Sequence, residues 1–308
     1  MPDVLFSLVG GVGRVTLNRP SAINALSLDM LHQIEETVGG WASSGQLTSL
    51  VICGNGERGF CAGADVRQLR SLLLSDPALG VAYLRDEYRL DEMLATLPVP
   101  VSAELFGISM GGGLGLTQHA QTRVGDASTR WAMPEVGIGL WPDVGMCFHL
   151  ARLPRRIGYF LAMTGRTIDG ASARFAGLLT TADVSPADSP LAGDAVWIEE
   201  CFDADNPLTV LERLAAHPNP AAQECGQEIR SKSPLSVAVS FEAVRRAAEH
   251  PDIAATLAQD LTLAENFLAE SDFVEGVRAQ LVDKDRNPRW QHRAIEDVDP
   301  ATVAAYFA

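Results

Sequence analysis

Lysine is nearly absent from this chain of 308 residues: Lys232 and Lys284 stand beside 22 arginines, a bias that reads as genome composition. Positive charge as a whole is scarce. Lys and Arg total 24 against 39 Asp and Glu, a formal net charge of −15. Phosphate backbones and anionic lipid surfaces call for local positive charge, so nucleic-acid and membrane partners are not expected. No apolar run approaches the roughly 18–20 residues that span a bilayer. The start, Met1-Pro2-Asp3-Val4-Leu5, lacks the basic and long apolar segments of a secretory leader. Cysteine is sparse and unpatterned. Cys53, Cys61, Cys147, Cys201 and Cys225 are odd in number and include no Cys-x-x-Cys pair. A disulfide framework or zinc ribbon is therefore not expected, and a reducing cytoplasm is. The six histidines form no ligand pattern such as His-Glu-x-x-His, so no metal is expected.

What remains is a globular composition, 47% hydrophobic and 20% charged. Leu5–Val9 and Arg14–Leu17 read as strands around Gly10-Gly11. Ser27 reads as a helix N-cap, and Leu28, Leu31, Ile34, Val38 and Trp41 recur at helical steps, predicting a helix over 28–43. Leu50–Cys53 reads as a buried strand, followed by a Gly-rich loop over 54–64 and helices over 65–74 and 77–96. Val99–Phe106 reads as a strand. A helix opens at Gly111–Gly113 and runs to about Gln121. Arg123–Val124, Thr129–Ala132 and Thr180–Val184 read as further strands, and the chain beyond 143 is mostly helical. Alternating strands and helices imply an α/β fold with a parallel sheet. Pro186, Asp188, Ser189 and Pro190 mark a boundary, dividing a core at 1–187 from a helical region at 188–308.

Three segments carry candidate chemistry. Gly59-Phe60-Cys61-Ala62-Gly63-Ala64-Asp65 runs from a strand into a helix, where free backbone N–H groups and the helix start favour an oxyanion. Gly107-Ile108-Ser109-Met110-Gly111-Gly112-Gly113-Leu114-Gly115 repeats that design, with glycines that let a ligand approach the backbone. It is neither a Walker loop nor a dinucleotide fingerprint. Glu135 and Asp143 stand in a third loop, Met133 to Gly145, where apolar neighbours suit a carboxyl to proton transfer. Each segment alone also fits an ordinary role: a turn capped by Asp65, close helix packing, or capping by Glu135 and Asp143.

Together, and with Leu17-Asn18-Arg19-Pro20 and Asn24-Ala25-Leu26, these segments resemble the crotonase (enoyl-CoA hydratase/isomerase) superfamily. The resemblance implies a crotonase-like ββα spiral core with a helical C-terminal region. It implies an oxyanion hole from the backbone N–H groups of Ala64 and Gly112, and a CoA entrance at Ala25, Leu26, Ala62, Asp65 and Val66. Hydratases of the family use two glutamates. Here the first of those positions is Gly115, which cannot move a proton.

The run Ala132 to Gly145, the helix segment Arg85-Asp86-Glu87-Tyr88, Lys232-Ser233-Pro234-Leu235-Ser236 and the stretch Asp272 to Trp290 are similar to the 3-hydroxyisobutyryl-CoA hydrolase branch, thioesterases of valine breakdown. That likeness implies conversion of 3-hydroxyisobutyryl-CoA and water to 3-hydroxyisobutyrate and CoA. Glu135 is then nucleophile or base. Asp143 holds the substrate hydroxyl or serves the leaving group, Glu87 is a third site carboxyl that binds that hydroxyl or tunes Glu135, and Gly112 also binds substrate. Coupled carboxylates share protons, so these roles stay open. CoA is part of the substrate and no cofactor is implied. Self-association is left open. The alternatives within reach are a hydratase or isomerase relying on Glu135, and a catalytically reduced acyl-CoA-binding protein. Met146 and Cys147 replace the branch's usual Gly-Gly, so the exact acyl group is open. Arg278, Lys284, Arg286, Arg289 and Arg293, with Arg19 or Arg67, are expected near the CoA phosphates.

Overall fold

The computed structural model describes residues 2–308. Its strands are β1 (Val4–Val9), β2 (Val12–Leu17), β3 (Ser49–Gly54), β4 (Val101–Glu104), β5 (Ile108–Met110), β6 (Thr122–Gly125), β7 (Arg130–Ala132), β8 (Ile168–Asp169) and β9 (Thr181–Ala182). Its helices are α1 (Leu28–Ser43), α2 (Val66–Ser75), α3 (Pro77–Ala95), α4 (Gly112–Gly115), α5 (Met146–Leu150), α6 (Ile157–Thr164) and α7 (Gly170–Ala176). They continue with α8 (Pro190–Phe202), α9 (Pro207–Ala216), α10 (Pro220–Arg230), α11 (Pro234–Ala247), α12 (Ile253–Asn266), α13 (Phe273–Val277) and α14 (Pro300–Ala305). Among the described residues no helix is long and apolar enough to cross a membrane. All five cysteines are buried and free. The chain forms two compact units, each assembled from separated segments.

The first unit comprises Met1–Asp65, Tyr83–Ala132 and Thr167–Ala192. It holds a six-stranded sheet in the order β1-β2-β3-β4-β6-β9 and a three-stranded sheet in the order β5-β7-β8. β1 and β2 form an antiparallel hairpin through Gly10 and Gly11, both at positive φ, where glycine carries no steric cost. From β2 onward the large sheet is parallel, with Val15 opposite Ile52 and Leu50 opposite Val101. Alternation places Val15, Leu17, Leu50 and Ile52 in the core. α1 starts where Ser27 caps it, Oγ accepting from the Met30 N–H at 3.3 Å, and buries Met30, Leu31, Ile34 and Val38.

The expected strand at 99–106 divides, with β4 in the large sheet and β5 in the small one. Gly107 lies between them at φ +46, and a Cβ there would sit 2.5 Å from the Arg58 carbonyl oxygen. The backbone of 58–59 passes so close that only glycine fits. The expected helix from 111 to 121 is also shorter, since α4 ends at Gly115 and turns follow. Glycines at 111, 112, 113 and 115 give it little helical propensity. The expected strand at 180–184 reduces to β9 at Thr181–Ala182.

The second unit comprises Val66–Ala82, Met133–Arg166 and Gly193–Ala308. Its centre is α11, buried at nearly every position from Pro234 to Phe241, and α6, buried throughout. α11 packs on α5, α6, α12 and α14, and Tyr159 meets Phe241 with ring centroids 5.0 Å apart. α2 packs on α13, where Arg70 Nε donates to the Val274 carbonyl at 3.0 Å.

Candidate active site

In the first unit the two glycine-rich segments run side by side. Cys61 N–H donates to the Ile108 carbonyl at 3.1 Å, and Met110 N–H donates to the Cys61 carbonyl at 2.9 Å. On the other flank, Leu26 N–H donates to the Gly63 carbonyl at 2.9 Å, and Asp65 N–H to the Leu26 carbonyl at 2.7 Å. These bonds occupy the neighbours of Ala64 and turn its own N–H elsewhere. Gly63 at φ +97 makes the turn. Gly112 is the first residue of α4, a position without an intrahelical acceptor. Neither the Ala64 N–H nor the Gly112 N–H bonds a protein acceptor among the described residues. A Cβ on Gly112 would lie 3.2 Å from the Ala64 nitrogen and would collide with Glu87 Oε1. Two amide donors and a carboxyl therefore converge on one spot, which position 112 leaves open by carrying no side chain.

Glu87 is fully buried on α3. One turn earlier Tyr83 is also buried, and its hydroxyl donates to the Leu26 carbonyl at 2.7 Å. Ala25, Leu26, Ala62 and Asp65 line the adjoining backbone. Arg19 donates to the Ala25 carbonyl at 2.7 Å and pairs with Asp65 at 3.3 Å. Asn24, at φ +54, ties this entrance down. Its Nδ2 donates to the carbonyls of Asn55 and Phe60, and its Oδ1 accepts from Arg19 N–H. Sequence reasoning quoted Asn24 only within the entrance motif and passed over Tyr83, which lies on α3 with no marker beyond its place in a predicted helix. Val66 opens α2, in the second unit.

Burial, with the Glu87 charge adding to it, pushes the Cys61 thiol up to about 12, which disfavours the thiolate that a nucleophile needs. His119 is no strong base, because burial and the nearby Arg123 push it down to about 4. Among the described residues no cluster of His, Cys, Asp or Glu can hold a metal ion.

The second unit places Glu135 and Asp143 on one loop. Both are 7% exposed. Glu135 opens a 3-10 turn, Glu135–Ile138, that ends at Gly139 with φ +85. A Cβ on Gly139 would strike the backbone of Asp272 and Phe273, and one on Gly276 would strike Ile138. This is how the distant Asp272-Phe273-Val274-Glu275-Gly276 motif acts: its glycine lets α13 seat directly on the turn that bears Glu135. Asp272 fixes the seat, accepting from Ser233 Oγ at 2.6 Å and from Gln291 N–H at 2.9 Å. The Asp143 carbonyl accepts from Met146 N–H at 2.9 Å as the chain enters α5. Met146 and Cys147 are wholly buried, and the Cys147 thiol donates to the Pro142 carbonyl at 3.0 Å. Asp260 of α12, which sequence reasoning passed over, bonds both sides of the Asp143 loop.

In the cationic stretch Arg278 is already engaged within the protein: Glu275, Asp283 and Asp285 all pair with it, at 2.6–2.7 Å. All three acids of the segment are engaged by that one arginine. No salt bridge among the described residues engages Lys284, Arg286, Arg289 or Arg293. Arg67 donates to the Leu281 carbonyl at 2.7 Å.

A family model for enoyl-CoA hydratase/isomerase matches residues 12–186 and 180–307. The chain is 33% identical to the mitochondrial 3-hydroxyisobutyryl-CoA hydrolase of Gallus gallus, over 99% of this chain and 88% of that protein. It is 31% identical to the Dictyostelium discoideum protein of the same name, over 99% and 91%. Among solved structures it is similar to a carnitinyl-CoA dehydratase from Mycobacterium thermoresistibile, with TM-score 0.93, 37% identity and coverage of 99% and 96%. It is likewise similar to an enoyl-CoA hydratase from Rhodobacter sphaeroides 2.4.1, with TM-score 0.91, 35% identity and coverage of 100% and 97%. With two glycine-rich turns framing paired amide donors, and with these likenesses running the length of the chain, the protein belongs to the enoyl-CoA hydratase/isomerase family, the crotonase superfamily.

Proposed function

We propose that this enzyme hydrolyses the thioester of a short 3-hydroxyacyl-CoA, with 3-hydroxyisobutyryl-CoA as first candidate and valine breakdown as the setting. The observation that carries the reading is the pair of amide donors at Ala64 and Gly112, closely spaced beside Glu87. Such donors stabilise the negative charge that develops on a thioester oxygen, and losing one costs ~3–4 kcal/mol, or 10²–10³ in rate. Glu135 attacks the carbonyl carbon to form an anhydride that water opens, or takes a proton from the attacking water. Either way the C–S bond breaks, sulfur leaves with its electron pair and gains a proton, and the products are the free acid and CoA. Asp143 serves the hydroxyl or the leaving sulfur, and Glu87 the hydroxyl. No cofactor is invoked. Lys284, Arg286, Arg289 and Arg293 are assigned to the CoA phosphates.

Support against hydration comes from Gly115, buried where a two-glutamate hydratase carries its first acid. One observation favours a second reading. Glu87 is itself a buried carboxyl beside Gly112, and two of the similar solved structures are named as a dehydratase and a hydratase. Glu135→Gln separates the readings. Free-thiol release from 3-hydroxyisobutyryl-CoA should fall by at least 10²-fold, and a rate equal to wild type would defeat the thioesterase reading. Loss of enoyl absorbance from crotonyl-CoA, without free thiol, would establish the second. Tight CoA binding with no turnover of any short acyl-CoA would mark a binding protein instead.

A further inference from the structure

Asp260 is a fully buried acid that the hydrolytic scheme does not use. It lies on α12 with one oxygen accepting from Trp141 Nε1 at 2.9 Å and the other from Gly145 N–H at 2.8 Å. Those donors stand two residues before and two residues after Asp143. The loop between them is not relaxed backbone. Val144 has φ 51, which is costly for a β-branched residue, and Gly145 has φ 73. A Cβ on Gly145 would meet Ile253 at 2.7 Å, so α12 lies hard against the loop. Trp141 is fully buried and stacks edge-on against Phe267, with centroids 5.7 Å apart. The indole is thus fixed from two sides.

A buried carboxyl is an expensive way to hold a loop, because desolvation penalises its charge. The charged and titratable groups around it make that cost larger. Asp143 comes from the loop, and its charge, after burial, holds Asp260 well above the usual carboxylate range. The Cys147 thiol of α5 faces Asp260, Asp143 and Glu135 together and is itself pushed up by burial. On α12, Gln259 reaches the Ala243 carbonyl of α11 and brings no charge. His250 bonds Thr256 one turn before Asp260, and burial pushes it down. No cation contributes to the shift of Asp260. With Asp143 ionised, burial and that neighbouring charge keep Asp260 in its protonated form.

We propose that Asp260 is a positioning residue for Asp143, holding the loop on both sides of that acid. Asp143 is thereby fixed in place. This inference rests on the thioesterase reading, in which Asp143 serves turnover.

The test compares Asp143→Asn, Asp260→Asn and the double variant by free-thiol release from 3-hydroxyisobutyryl-CoA across pH. A displaced reacting group costs on the order of 10²-fold, so Asp260→Asn should lower kcat by about that factor while KM changes little. The pH profile should keep its shape in Asp260→Asn, because the amide replaces a carboxyl that is already protonated where Asp143 ionises. In the Asp143→Asn background, Asp260→Asn should cost little more, since groups acting through one another are not additive. Trp141→Phe keeps the ring but deletes one donor. It should likewise lower kcat with little change in KM, and it decides the matter if Asp260→Asn does not fold. A wild-type kcat in both Asp260→Asn and Trp141→Phe, or full additivity in the double variant, overturns the positioning role. If Asp143→Asn itself keeps the wild-type rate, the assignment of Asp143 falls and the positioning role falls with it. If Asp143→Asn loses turnover while Asp260→Asn behaves as wild type, only the positioning role falls.

Discussion

Gly112→Ala is a small change with two opposed consequences. Gly112 has no positive φ, so its backbone accepts alanine, and in a helix alanine gains about 0.5–1 kcal/mol over glycine. The added Cβ, however, would collide with Glu87 Oε1 and approach the Ala64 nitrogen to 3.2 Å. Overpacking of that kind costs about 1–3 kcal/mol. The net effect on stability is a loss of roughly 0–2.5 kcal/mol, a few degrees at most in melting temperature. Catalysis should suffer much more, because the methyl fills the place that the thioester oxygen must occupy between its donors. The expected loss in kcat/KM is ~10²–10³-fold, the scale of an oxyanion donor. Gly193→Ala on α8 is the control: no heavy atom lies within 4 Å of its Cβ, so it should keep wild-type turnover and melt slightly higher. Free-thiol release and thermal melts of both variants decide the point. A Gly112→Ala enzyme that is folded and turns over at the wild-type rate would refute the oxyanion assignment.

Acid should destabilise the fold through His119. Its folded-state pKa of about 4 lies below the unfolded value near 6.5, so the unfolded chain binds the extra proton and stability falls as pH drops through that window, by up to ~3 kcal/mol; urea midpoints at pH 7.5, 6 and 5 should show a steeper fall for wild type than for His119→Gln. The cysteines should be silent to a thiol reagent at pH 8 in the native state and all react after denaturation, because burial pushes Cys61 and Cys225 up to about 12 and Cys201 up to about 11; labelling of native Cys61 would restore a thiol mechanism. Arg278→Ala should free three carboxylates and loosen the turn in which Lys284 and Arg286 hold positive φ, seen as new cleavage near 283–287 in limited proteolysis. Reversing charge at Lys284 and Arg286 should raise KM for acyl-CoA with little change in kcat, and an unchanged KM would show these cations to be plain surface.

Much of the first unit was legible because its signals are local. β1, β2, β3 and the Ser27 cap follow from alternation, a short apolar run and a capping serine. The break between β4 and β5 was not, because what enforces it is the Arg58–Gly59 backbone passing Gly107, a contact that no window of sequence contains. The glycine turns at 63 and 112 were legible as oxyanion candidates because few other demands place so many glycines at a strand-to-helix entry. Asp260 was missed since its partners lie 115 and 119 residues away. One signal was present. Thr256, Leu257, Asp260, Leu263 and Ala264 share the buried stripe of α12, and an acid on such a stripe has a task. The weaving of each unit from separated segments has no local marker, because the chain passes from one to the other within continuous helical and loop stretches.

The central claim is that the enzyme cuts a thioester rather than adding or removing water. Incubating it with 3-hydroxyisobutyryl-CoA and identifying the products by mass is the direct test. The account predicts 3-hydroxyisobutyrate and free CoA in equal amounts, formed by wild type and lost in Glu135→Gln. Accumulation of the dehydrated enoyl-CoA with its thioester intact would contradict it.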